Sequence, residues 1–124
     1  MSSPELAPDL RRFILTSVPS VPYLEAVLLL RAEPQRRWNT AELARRLYVP
    51  ERTAAELLSE LRASGIAGGS EEHVQYAPRP GLAGLLDQVA HAYASDLVTV
   101  TTLIHSRIDR RAQQFADAFR FRKD

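Results

Sequence analysis

The side chains with the widest chemical reach here are His73, His91 and His105, and their spacing works against a shared task. His91 and His105 lie fourteen positions apart, about four helical turns or roughly 21 Å, which is too far to hold one metal ion within a single chain. Both fall away from the apolar stripe around them, so they read as surface histidines. Asp87 and His91 share the i, i+4 spacing, which suits a weak surface pair better than a catalytic dyad. The chain has no cysteine, which removes disulfides, thiolate catalysis and cysteine-ligated zinc or iron–sulfur sites. Gly65-Ile66-Ala67-Gly68-Gly69 lacks the lysine and the following helix of a phosphate loop. No enzyme constellation, metal site or cofactor site follows from the sequence.

What remains is electrostatic recognition. Net charge is +1, from 16 basic and 15 acidic residues in 124. Between Ser20 and Pro80 eight arginines face eight glutamates, so only an uneven distribution could make a polyanion-binding face. Arg36, Arg37, Arg45 and Arg46 cluster before and within one helical stretch, Arg52, Thr53 and Ser59 lie on the next, and His73 and Arg79 follow.

These side chains must be positioned by the stretch from Trp38 to Pro78. Leu43, Ala44 and Leu47 recur at helical spacing, with Thr40 as the cap and Glu42 in the first turn opposing the dipole. Tyr48-Val49-Pro50 breaks the pattern, and Pro50 suits the first position of a second helix. That helix buries Ala54, Leu57, Leu58 and Leu61, and Gly65 supplies the left-handed residue that ends it. Ile66-Ala67 and His73 to Tyr76 then pair across a turn at Gly68-Gly69-Ser70. Trp38 anchors a minimal strand against that hairpin.

The pattern Ala44, Leu47, Val49, Ala54, Leu58, Leu61, Gly65 and Ile66 resembles the winged helix-turn-helix of bacterial transcriptional regulators of the MarR-like kind, over roughly a third of the chain. The resemblance implies a mostly α (α+β) fold with a short β wing, an N-terminal helix pair and a long C-terminal dimerisation helix. It implies double-stranded DNA as a partner, read by the second helix of the motif as a homodimer on half-sites about one helical turn apart. Arg36, Arg37, Arg45, Arg46, Arg52, Thr53, Ser59, His73 and Arg79 are the candidate DNA contacts. The outward face of that helix departs from the family, because Glu51, Glu56 and Glu60 stand beside Arg52, Ala55 and Ser59, and the wing tip carries Glu71 and Glu72. The same fold serves as a docking module, so an acidic face that binds a basic protein surface without DNA stays open.

Along the rest of the chain, residues 1–8 read as a frayed tail, Asp9 to Ser17 as a helix capped by Asp9, and Pro22 to Ala32 as a buried helix capped by Ser20. One domain spans 1–124, with a core at 20–80 and C-terminal helices at 81–124. From Leu82 to about Arg111 runs an uninterrupted helical pattern about 40 Å long at 1.5 Å per residue. Leu82, Leu86, Val89, Tyr93, Leu97, Val100 and Ile104 line it, more apolar surface than a small core can cover, which points to a second copy. Arg107, Arg110 and Arg111 sit at its end, and Phe115 to Phe121 suggest a terminal helix folding back. Tyr23, Tyr93 and Phe13 could line an effector pocket. No signal peptide is evident, and the apolar run Ala26–Leu30 is too short for a bilayer, so no membrane partner and a cytoplasmic location are expected.

Overall fold

The computed structural model describes residues 6–106. Among them the chain is mostly helical, with six helices and one two-stranded antiparallel sheet. In order these are α1 (Pro8–Ser17), α2 (Val21–Ala32), α3 (Thr40–Leu47), α4 (Glu51–Ala63), β1 (Ala67–Ser70), β2 (His73–Tyr76), α5 (Ala83–Ser95) and α6 (Leu97–Ser106). Two compact units emerge, Pro22–Asp87 and the segments either side of it, with the boundary inside α5. No single helix among the described residues is long and apolar enough to cross a membrane.

Within Pro22–Asp87, α2 buries Tyr23, Leu24, Ala26, Val27 and Leu30, as its nearly all-round apolar sequence requires. α3 packs on α4, and α4 on β1. The cap of α3 is Asn39 rather than Thr40: Asn39 Oδ1 accepts from the Glu42 backbone N–H at 2.8 Å, and Thr40 becomes the first helical residue. Asn39 is extended and thus outside the helix, the geometry a capping side chain needs. Pro50 likewise precedes α4 as its N-cap instead of starting it. Ala54, Leu57, Leu58 and Leu61 are buried on one side of α4, and the helix ends at Gly65, whose φ is +76°. The Ile66 N–H reaches back to the Leu61 carbonyl at 3.0 Å, closing the C-terminal turn.

The hairpin turns at Glu71-Glu72, not at Gly68-Gly69-Ser70. The glycines belong to β1, in the register Ala67↔Tyr76, Gly68↔Gln75, Gly69↔Val74 and Ser70↔His73. Gly69 takes φ +99°, and a β-carbon there would run into the His73 carbonyl oxygen, so the glycine serves a close backbone approach inside the strand. Trp38 forms an isolated antiparallel bridge with Val74, its N–H donating at 2.7 Å and its carbonyl accepting at 2.8 Å, where the sequence places a minimal strand. Both residues are fully buried.

In the other unit, α1 buries Leu10 and Ile14. Its N-cap is Ala7, with Pro8 at the first position; Asp9 lies inside the first turn and makes no cap bond, because Pro8 already supplies the helical φ. The helical run after Leu82 is interrupted at Asp96, which ends α5 and caps α6: Oδ1 accepts from the Thr99 N–H at 3.2 Å and Oδ2 from Thr99 Oγ1 at 2.6 Å. An aspartate side chain that bonds the following backbone competes with helix continuation, which the apolar spacing alone does not register. Arg107, Arg110, Arg111, the tail from Phe115 to Phe121 and residues 1–5 lie outside the described residues.

Candidate functional site

The buried ridge of α4 leaves Glu51, Arg52, Ala55, Glu56, Ser59 and Glu60 exposed, and Thr53 half-buried at their edge. One helix thereby offers a continuous outward face next to the hairpin. A cleft of about 220 Å³ separates the two, lined by Thr40, Ala55, Ser59, Arg62, Glu71 and Val74. His73 is exposed where β2 begins, just after the acidic turn Glu71-Glu72.

The candidate arginines divide into two groups. Arg36 is held: Nη2 donates to Glu42 Oε2 at 2.8 Å, Nη1 lies 3.4 Å from Glu33 Oε2, and the guanidinium carbon stands 3.9 Å from the centroid of the Trp38 ring. The hydrogen bond to Glu42 leads the causes that push its pKa further up. Arg46 shares Glu33 at 3.7 Å and approaches the same indole at 5.6 Å. These two cations lock the segment before α3 onto the Trp38 plane and are largely spent on it. Arg37, Arg45 and Arg79 are exposed and have no ion pair among the described residues. Arg79 is steered by backbone, since its N–H donates to the Gly65 carbonyl at 2.8 Å and its stem lies against the Gly65 α-carbon side. Arg52 is 90 % exposed and leans toward Glu56 at 3.6 Å, one turn on, so the leading cation of α4 is partly offset by its own helix.

Two expectations are corrected by pairing that sequence spacing does not reveal. Asp87 accepts from Arg31 Nε at 2.9 Å instead of meeting His91. Of the stripe after residue 81, Leu82, Leu86, Val89, Val100 and Ile104 are already buried within the single chain, Tyr93 is half-buried, and Leu97 is 51 % exposed with Val98 at 70 %. The apolar excess that points to a second copy thus shrinks to the start of α6. Tyr23, expected beside an effector, donates its hydroxyl to Ser64 Oγ at 3.2 Å after the end of α4.

One exposed residue escaped the sequence reading. Tyr48 ends α3 in the left-handed region at φ 57°, and it is 95 % exposed. For a residue with a β-carbon that conformation costs about 1 kcal/mol or more. The signal was available: an aromatic sits between two helical patterns, at the joint where glycine is the ordinary choice.

A scan against protein-family models, a search of curated proteins and a search of solved structures each found no match.

Proposed function

We propose that the chain is a winged helix-turn-helix regulator that binds double-stranded DNA in the cytoplasm as a dimer, with α4 as the helix presented to the major groove and the β1–β2 hairpin as its wing. The observation that carries this reading is the outward face of α4, backed by four buried residues and flanked by a hairpin tied to Trp38 through two backbone hydrogen bonds. A helix seated on its core by one side, with a β-ribbon beside it, is the geometry that reaches base edges and adjacent phosphates together. Arg52, Thr53 and Ser59 are the groove-side candidates, and Arg37, Arg45 and Arg79 the backbone candidates; Arg36 and Arg46 act by holding the frame.

Four arginine–phosphate contacts per protomer, through Arg37, Arg45, Arg52 and Arg79, correspond to a log–log salt slope of about −3.6. Anisotropy titrations of labelled duplex fragments across a salt series measure that slope, and Arg45→Ala with Arg52→Ala should reduce it by about 2. Unchanged affinity and slope in the double variant would remove the assignment.

A specific feature favours a second reading. Glu51, Glu56 and Glu60 on α4 and Glu71 and Glu72 at the turn are exposed, and only Glu56 has a cation near it among the described residues. Five carboxylates around one face oppose phosphate and suit a basic protein surface. Glu56→Lys with Glu60→Lys separates the two: DNA affinity rises if this face meets phosphate, whereas retention of a lysine-rich protein on the immobilised chain falls if it is a docking face.

A further inference from the structure

Tyr48 is accounted for neither by folding nor by the groove-side residues. It is the one non-glycine residue with positive φ among the described residues, and its ring lies almost wholly in solvent. A β-carbon disfavours this backbone and glycine does not, while an exposed ring recovers nothing through burial. Tyrosine at this joint therefore works against stability, and residues of that kind gather at binding surfaces. The ring shares one shallow surface depression with Ala41, Ala44, Arg45, Val49 and Glu51, where the chain passes from α3 into α4. Arg45 is exposed there with no ion pair among the described residues. Phenol hydroxyl and guanidinium are both donors that nucleic-acid phosphates accept, and Glu51 is the single carboxylate in the depression.

We propose that Tyr48 and Arg45 together hold one phosphate of the duplex backbone beside the groove entered by α4, and that Tyr48 does so at the expense of folding stability. This rests on the DNA-binding reading above. The contact is independent of base sequence, since it goes to the backbone. A protein partner would instead bury the ring and tolerate loss of its hydroxyl, so Tyr48→Phe distinguishes the two.

The test uses the full chain, fluorescein-labelled duplex fragments at low salt, and thermal denaturation of every variant. Tyr48→Phe should weaken binding roughly 3- to 10-fold, the range of one lost hydrogen bond. Tyr48→Gly should weaken it at least as much while raising the melting temperature by a few degrees. Arg45→Ala combined with Tyr48→Phe should lose less than the product of the single losses, as expected for two groups on one phosphate. Wild-type affinity in Tyr48→Phe and Tyr48→Gly, with the parent chain binding normally, overturns this inference alone. A lower melting temperature for Tyr48→Gly overturns the claim of a stability cost, and absence of duplex binding by the parent chain overturns this inference together with the reading beneath it.

Discussion

Two tyrosine hydroxyls at the edge of the Pro22–Asp87 core show how single residues set stability. Tyr23 donates to Ser64, whereas the Tyr76 hydroxyl is buried with no partner among the described residues. An unpartnered buried hydroxyl keeps its desolvation cost, so Tyr76→Phe should leave the melting temperature unchanged or raise it, while Tyr23→Phe should lower it by the equivalent of about 1 kcal/mol. Burial is the leading cause that pushes both phenols above their ordinary pKa; Glu60 adds to it at Tyr23 and Asp87 at Tyr76, with Ser64 and Arg31 respectively acting the other way. The folded chain thus holds these protons more tightly than the unfolded chain does. The stability they contribute is complete below the ordinary phenol value near about 10 and is lost as pH rises through the raised values. Urea midpoints should therefore fall from about pH 9.5 upward, and fall less in Tyr76→Phe.

Elements in this chain are delimited by a few backbone positions. Gly69 is the sharpest, because the left-handed φ and the nearby His73 carbonyl act together. Gly69→Ala should cost about 2 kcal/mol or more and weaken the hairpin, read as lost amide protection at Trp38 and Val74. Gly81 has φ +86° with nothing within 4 Å of a built β-carbon, so Gly81→Ala should carry only the torsional cost of about 1 kcal/mol. Asp96 is the corresponding device between α5 and α6. Asp96→Ala removes both bonds to Thr99 and should cost about 1 kcal/mol, seen as a shifted urea midpoint at unchanged slope.

For the whole molecule, the proposed dimer now centres on Leu97 and Val98, the large apolar residues after residue 81 that stay exposed. Leu97→Glu should convert a dimer to monomer in light scattering without lowering the melting temperature of the monomeric fold, because a half-exposed side chain contributes little to its own core. If the parent chain is monomeric across the working concentration range, the half-site geometry proposed for DNA falls with it. The single tryptophan offers a second readout: Trp38→Phe should cost about 1–3 kcal/mol, since it opens space under Arg36 at a fully buried site.

Much of the helical frame was legible from residue spacing. Ala54, Leu57, Leu58 and Leu61 recur with the helical period, and any helix with that period has one buried side, so α4 and its outward residues follow without coordinates. Gly65 ending α4 follows in the same way, because only a left-handed residue closes that turn without strain. The tertiary structure alone decided what depends on partners far along the chain. The hairpin register is settled by Trp38, thirty-six positions before Val74, which is why the glycines fall inside β1 and the glutamates take the turn. Arg31, fifty-six positions from Asp87, displaces the expected local pair with His91, and Arg36 is claimed by Glu33, Glu42 and an indole ring. Local periodicity encodes which face of a helix avoids water; it carries no information on which charge a folded neighbour has already neutralised, and at this surface that neutralisation sets the cations left for a polyanion.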